Sequence, residues 1–245
     1  IIFSPHPDDD VVSMGGTFDR LVSQGHEVHI AYQVKGNIAV SDHDALKFIE
    51  VSKDMFKNDS KVPVSELIKE LKNNKPDKID SQAVRDLKGF IRKREAIAAT
   101  RYIGIPDSNT HFMNLPFYDT GRIKKNPPTK KDLLITASLI KKIKPHQIFA
   151  AGDLEDPHGT HKVCLDIILE ALNSLKGENF IKDCWLWLYR GAWLDWEIHD
   201  IDMAVPMSPA QVLRKRKAIF FHQTQKDGVM FQGQDLREFW VRAEE

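Results

Sequence analysis

The sequence predicts an α/β protein with a Rossmann-like, three-layer architecture: a mostly parallel sheet flanked by helices. Three observations predict it. The first part of the chain, about 35 residues, reads as strand, helix, strand, which implies a parallel pair joined by a right-handed crossover. Strand-like and helix-like segments keep alternating through the 245 residues. No internal repeat, low-complexity tract or clear linker interrupts them, so one domain over 1–245 is expected.

"IIFS" is a short buried strand whose apolar run ends at Pro5. "VVSMGGTFDRLVSQG" then spaces its apolar residues as a helix does, with Gly25 just past the end. "HEVHIAYQV" alternates and is rich in β-formers, which gives a second strand. Residues 42–59 and 65–74 read as helices joined by lysine-rich loops, and 42–80 as a helical insertion. "SQAVRDLKGFIRKREAIAATRYIGI" is a long amphipathic helix with Ser81 as N-cap. "THFMNLPF" is a strand or extended segment, and "KKNPPTKKD" a loop before a helix from Lys130 to Lys144. "HQIFAA" is a further buried strand, followed by the loop "GDLEDPHGTH". A helix from about His161 to Leu175, a strand inside "CWLWLYRGAW", and helices over Pro209–His222 and Gln234–Glu244 complete the reading.

Composition narrows the function. Hydrophobic residues are 42% and charged residues 29% of the chain, ordinary for a soluble globular protein. Lys plus Arg and Asp plus Glu are 35 each, so no global field attracts nucleic acid or an anionic membrane. No run approaches the roughly 20 apolar residues of a membrane span, and no signal peptide is visible. "CWLWLYRGAWLDW" is broken by Arg190 and Asp195; its tryptophans suit the core, or an interface or sugar subsite. Cys164 and Cys184 are too few for a disulfide scaffold and suit a reducing cytoplasm. The start at Ile1, without methionine and directly on a strand, is what is expected of a piece of a longer protein or of a trimmed chain.

In open parallel sheets, ligands bind beyond the carboxyl ends of the strands. Two loops with imidazoles and carboxylates lie there: "SPHPDDD" after the first strand and "EDPHGTH" after "HQIFAA". Three adjacent carboxylates repel one another unless a metal, a lysine or water relieves them. If the two strands are neighbours, His6, Asp9 and His161 supply two imidazoles and one carboxylate with a position left for water, the arrangement of catalytic zinc. Asp8, uncoordinated beside them, is a candidate general base, and His158 a donor to developing charge. Asp10 is expected as an N-cap or supporting residue. The competing reading is a plain turn, since Asp and Pro favour turns. His26, His29 and His43 fall on strand or surface positions, His111, His146 and His199 read as structural, and His222 in "AIFFHQTQ" has no assigned role.

These motifs resemble the LmbE-like, or PIG-L, family of zinc-dependent N-deacetylases. "IIFSPHPDDDVVSMGGTFDRLVSQGHEVHIAYQVKGN" matches the family's opening block nearly throughout. "RKREAIAATRYIGI", with Arg92 and Glu95 in place, "DPHGTH" and "KRKAIFFHQTQ" follow in the family's order. The resemblance implies that His6, Asp9 and His161 bind Zn2+ or Fe2+, that Asp8 activates water, and that His158 stabilises the oxyanion or protonates the leaving amine. It implies that Arg92 contacts the substrate sugar. The implied reaction removes the acetyl group from an N-acetylglucosamine-type amino sugar or its conjugate. Similar versions are fused to a glucosamine-6-phosphate deaminase domain, and a homo-oligomer is open.

Two departures stand out. Members often read H-P-D-H where this chain has His158-Gly159-Thr160-His161, which leaves Asp153, Glu155 or Asp156 to orient the imidazole. Sugar-binding members often carry Asp after Leu-Pro, where this chain has Phe117. Three other classes compete: an amidase on another substrate, a phosphoesterase whose acidic cluster holds two metals, and a nucleotide-binding module. The last rests on the βαβ opening and Gly15-Gly16, without G-x-G-x-x-G or G-x-x-x-x-G-K-[ST].

Overall fold

The computed structural model describes residues 1–55, 64–74, 78–191, 193–226 and 237–244. Its strands are β1 (Ile2–Ser4), β2 (Ile30–Tyr32), β3 (Thr110–Phe112), β4 (Gln147–Ala151) and β5 (Trp185–Tyr189). They form one sheet in the order β3-β2-β1-β4-β5, with every pair parallel. The helices are α1 (Asp9–Ser23), α2 (Asp42–Met55), α3 (Val64–Lys72), α4 (Gln82–Ile103), α5 (Lys130–Ile143), α6 (Thr160–Ser174), α7 (Pro209–Phe220) and α8 (Phe239–Arg242). The expected α/β architecture is present. Among the described residues no helix is long and apolar enough to cross a membrane.

The layers follow from period-two alternation in strands buried on both faces. Ile2, Ile30, Tyr32 and Phe149 pack on one face with Val11 and Phe18 of α1, Ala96 and Ile103 of α4, and Ala218 and Ile219 of α7. Phe3, Ala31, Ile148 and Ala150 pack on the other with Ile140 of α5 and Cys164, Ile167 and Ile168 of α6. Each such large apolar side chain contributes about 1.5–3 kcal/mol on burial.

The strands are shorter than the alternating pattern suggested. Past Tyr32, Gln33 N extends the parallel ladder by donating to Ser4 O at 2.9 Å, and Val34 N donates to Pro5 O at 3.1 Å, so the end of the second segment lies beside the turn after β1. The expected helix over 42–59 runs to Met55, and 56–63 lie outside the described residues. Of the helix expected over 234–244, α8 keeps four residues, and 234–236 lie outside the described residues.

Helix ends follow the sequence signals. Ser81 caps α4 by accepting from Val84 N at 3.3 Å, and Gly104 closes it in the left-handed region at φ 107°. Gly15 and Gly16 lie inside α1, where α7 and the segment before it press close. A Cβ at Gly15 would stand 2.9 Å from Lys215 Cγ, and one at Gly16 1.8 Å from Met207 Sδ. The glycine pair is therefore explained by packing, and the nucleotide-loop reading loses that support.

Helices α2 and α3 form a small cluster of their own on α4. Ala45, Ile49, Leu67, Ile68 and Leu71 meet Val84 and Ile91 there. Buried Lys88 is held beneath them by Asp42 and Asp80, each at 2.7 Å.

Strand order reverses beside β1. The chain moves from β1 to β2 and β3, then returns across α5 to place β4 on the other side of β1. Both histidine loops thus emerge at one crevice, the switch point where open α/β sheets bind ligands.

Candidate metal centre

The turn after β1 folds around Ser4. Its hydroxyl donates to His6 O and accepts from Asp10 N at 3.0 Å. His6 N–H donates to Asp9 Oδ2 at 2.7 Å, which draws that carboxylate back across the turn to 3.2 Å from His6 Nδ1. Asp9 and Asp10 form the first turn of α1, where carboxylates complement the helix dipole.

The loop after β4 is built on Asp156. Its Oδ2 accepts from Thr160 N at 2.7 Å and lies 2.8 Å from His158 Nδ1, while Oδ1 accepts from His161 N at 3.2 Å. One carboxylate therefore starts α6 and orients His158. Gly159, at φ 66°, lets the chain turn between the two histidines. Among the three acids that the sequence left open, Asp156 takes this place. Asp153 instead accepts from Leu194 N at 3.1 Å through its side chain and from His161 Nδ1 at 2.8 Å through its carbonyl.

Because a carbonyl can only accept, His161 Nδ1 carries the hydrogen, which leaves Nε2 as the atom with which the ring would coordinate a metal. His161 is 1% exposed, and its Nε2 has no hydrogen-bond partner among the described residues. That atom lies 3.2 Å from Asp9 Oδ2 without hydrogen-bond alignment, as two ligands of one ion stand to each other. One coordinating atom from each of His6, Asp9 and His161 lies within 4.8 Å of the others. An orphaned imidazole nitrogen, a second imidazole and a carboxylate are donors that fit zinc or ferrous iron. The ring of His158 stands 5.2 Å from that of His6 and is not part of the triad.

Electrostatics support the same grouping. Burial alone would raise Asp9, but His161 and His6 outweigh it and hold the carboxyl well below its ordinary value. Burial lowers His161, and Asp9 more than reverses this, pushing it up to about 9. A metal at His161 Nε2 would therefore have to displace a proton. Burial lowers His6 despite Asp9.

Each carboxylate of the acidic turn has its own partner. Asp8, 7% exposed, accepts from Arg92 Nη2 at 2.8 Å. Asp9 faces the two imidazoles. Asp10 accepts from Tyr32 Oη at 2.9 Å and Ser4 Oγ at 3.2 Å, and burial pushes it up to about 7. The N-cap position falls to Asp8, so Asp10 is a supporting residue.

Arg92 lies behind Asp8. It is 1% exposed, and its Nε and Nη1 have no partner among the described residues. Gly36, at φ +64°, leaves it room, since a Cβ there would stand 3.1 Å from Nε. Glu95, one turn on, accepts from Thr224 N and Oγ1, both at 2.8 Å. Phe117 is buried in the core, its N–H bound to Asp132. Neighbouring Tyr118 packs edge-on to His6 at 6.0 Å. Sequence reasoning missed Tyr118, whose only signal was its place beside Phe117.

His222 is fully buried with neither ring nitrogen partnered among the described residues. Burial, reinforced by Arg92 and opposed by Asp9, pushes its pKa down to about 3 from 6.5. The unfolded chain then takes up a proton that the native state refuses, so this contribution to stability is complete above pH 6.5 and is lost as pH falls toward 3. The melting temperature is expected to drop through that window, and His222→Leu to make the drop shallower. An equally steep acid limb in the variant would contradict this origin.

The sequence matches the PIG-L family, described as GlcNAc-PI de-N-acetylase, over residues 1–172. This chain belongs to the PIG-L family. It is 49% identical over 254 residues to a glucosamine-6-phosphate deaminase-like protein of Bacteroides thetaiotaomicron. That match covers 100% of this chain and 38% of the relative, so the PIG-L chain spans well under half of its length. Among solved structures, a triple mutant of a deacetylase of the teicoplanin biosynthetic pathway is similar in fold, with 16% identity and a TM-score of 0.52 over 98% of this chain and 87% of that one. A conserved protein of Thermus thermophilus is similar too, with 17% identity and a TM-score of 0.51 over 92% and 78%. Family membership supports a hydrolase of the deacetylase type.

Proposed function

We propose that this chain is a metal-dependent hydrolase that removes the acetyl group from an N-acetylglucosamine-type amino sugar or its conjugate. The observation that carries the reading is the convergence of His6, Asp9 and the unpartnered Nε2 of His161 on one point, flanked by Asp8 and His158. These three residues would hold Zn2+ or Fe2+. Such an ion supplies Lewis acidity, polarising the amide carbonyl and lowering the pKa of water.

The protein's own groups do the rest. Asp8 takes a proton from the attacking water, and Arg92 fixes the carboxylate for that task. A direct contact between Arg92 and the sugar, as the family likeness implies, would use Nε or Nη1. Asp156 binds His158 Nδ1, which makes Nε2 the ring nitrogen that serves the oxyanion or the leaving amine.

The longer relative's name concerns glucosamine 6-phosphate. Deacetylation of N-acetylglucosamine 6-phosphate yields that compound, so a deaminase-like domain beside this one would consume the product. In this reading residues 1–245 are one cytoplasmic domain acting on a small molecule, with 42–80 as its helical insertion. The phosphoesterase alternative calls for a second metal, and the described residues form only one group of three or more such ligands.

The test is acetate release from N-acetylglucosamine and its 6-phosphate, before and after metal removal. Release should vanish on chelation and return with about one equivalent of Zn2+ or Fe2+. Undiminished release by stripped protein would overturn the metal; no release by loaded protein from either sugar would overturn the substrate.

A further inference from the structure

The approach to the centre from β2 and α4 is rich in cations, and carboxylates match them. Lys35 Nζ lies 3.0 Å from Asp86 and 3.2 Å from Asp119, and Arg85 3.5 Å from Asp119. Lys88 pairs with Asp42 and Asp80, and Arg92 with Asp8.

The loop between β3 and α5 differs. It leaves the carboxyl end of β3, the end of the sheet that carries the metal ligands. From Arg122 to Lys131 it holds Arg122, Lys124, Lys125, Lys130 and Lys131 and no acid. The next acid, Asp132, is committed to Phe117 N at 3.0 Å and Thr129 N at 2.8 Å. In a chain of zero formal net charge this is a local positive excess.

Lys125 is the member of this run tied to the site. Its Nζ sits 3.7 Å from the centroid of the Tyr118 ring, which itself packs against His6. It donates to Arg122 O at 2.8 Å, and no carboxylate lies within ion-pair distance among the described residues. Burial, opposed by Asp119, pulls the ammonium down to about 8. A half-desolvated cation whose nearby carboxylate, Asp119, lies beyond ion-pair distance favours an anionic partner.

We infer that Lys125 binds a phosphate group on the substrate, so that the hydrolase acts on a phosphorylated N-acetyl amino sugar. Tyr118 places the ammonium one aromatic ring away from His6, so a sugar with its acetamide at the centre can offer a phosphate to Lys125. Arg122 and Lys124 add to the field. The inference rests on the deacetylase reading for the sugar, while the phosphate contact stands on the loop itself.

Two experiments separate the two claims. In the first, kcat and KM for acetate release are compared for N-acetylglucosamine, its 6-phosphate and its 1-phosphate. Wild-type protein should favour one phosphorylated sugar through KM, and the better isomer locates the phosphate. Lys125→Met should lower the phosphorylated-to-neutral ratio of kcat/KM by about tenfold or more, and Lys125→Arg should retain it. A ratio near one in the wild type, or one that survives in Lys125→Met, overturns the inference and leaves the deacetylase reading intact.

In the second, calorimetric binding of glucosamine 6-phosphate is compared with that of glucosamine, without turnover. Phosphate-dependent binding that Lys125→Met weakens supports the inference even if no sugar yields acetate, an outcome that would count only against the deacetylase reading. Equal binding of the two sugars overturns it.

Discussion

The Asp8→Asn protein should fold, bind metal and release acetate roughly 10²–10⁴-fold more slowly than the wild type, the range lost with a general base. Asparagine keeps the side-chain shape and an oxygen that can accept from Arg92 Nη2, now 2.8 Å from the carboxylate. It cannot take a proton from water. Alanine is a poorer probe. It would leave the guanidinium of Arg92, 1% exposed and, among the described residues, already without partners at Nε and Nη1, without the carboxylate that it hydrogen-bonds. Breaking a buried pair in that way costs about 3–5 kcal/mol, which would confuse folding with chemistry. Initial rates and metal content measured on one sample separate the effects. Wild-type turnover by a metal-loaded Asp8→Asn protein would remove Asp8 from the mechanism.

The second large effect is expected at His161. Its imidazole is fixed by the carbonyl of Asp153 at 2.8 Å, and the first turn of α6 holds its backbone through Asp156. Substitution by alanine would remove one of the three proposed ligands and leave His6 and Asp9, both from a single turn, too few to retain the ion. The same change deletes a buried side chain, at a cost of about 2–5 kcal/mol for large-to-small replacements, and takes a counter-charge from Asp9. His161→Gln keeps more of the volume while withdrawing the imidazole, so loss of metal in both variants, with folding checked by circular dichroism, isolates the ligand's role.

Much of this was legible in the sequence because the signals were local. The HPDD turn, the HGTH loop and the strand before each are read within a few residues, and open-sheet topology then brings the loops together if β1 and β4 are neighbours, as they are. Ser81 and Gly104 carry cap chemistry that needs no tertiary knowledge.

What stayed hidden depends on distant pieces of chain. The reason for Gly15 and Gly16 is the approach of Lys215 and Met207, some two hundred residues later. Arg92 reads as a sugar contact until α4 is seen to bury it behind Asp8. The choice of Asp156 over Asp153 turns on the path of the loop after β4, which brings Asp156 to His158 Nδ1 and Asp153 to Leu194 N. β2 keeps only Ile30–Tyr32 of the alternating run, and the bond from Val34 N to Pro5 O beside the turn after β1 is a contact that alternation cannot reveal.

The most direct test is the metal content of protein purified without chelators, wild type beside His161→Ala, by elemental analysis. About one zinc or iron per wild-type chain and less than about a tenth of that in the variant is the predicted result. A wild-type chain that takes up no transition metal even when loaded, or a variant that holds as much as the wild type, would contradict a centre built on His6, Asp9 and His161.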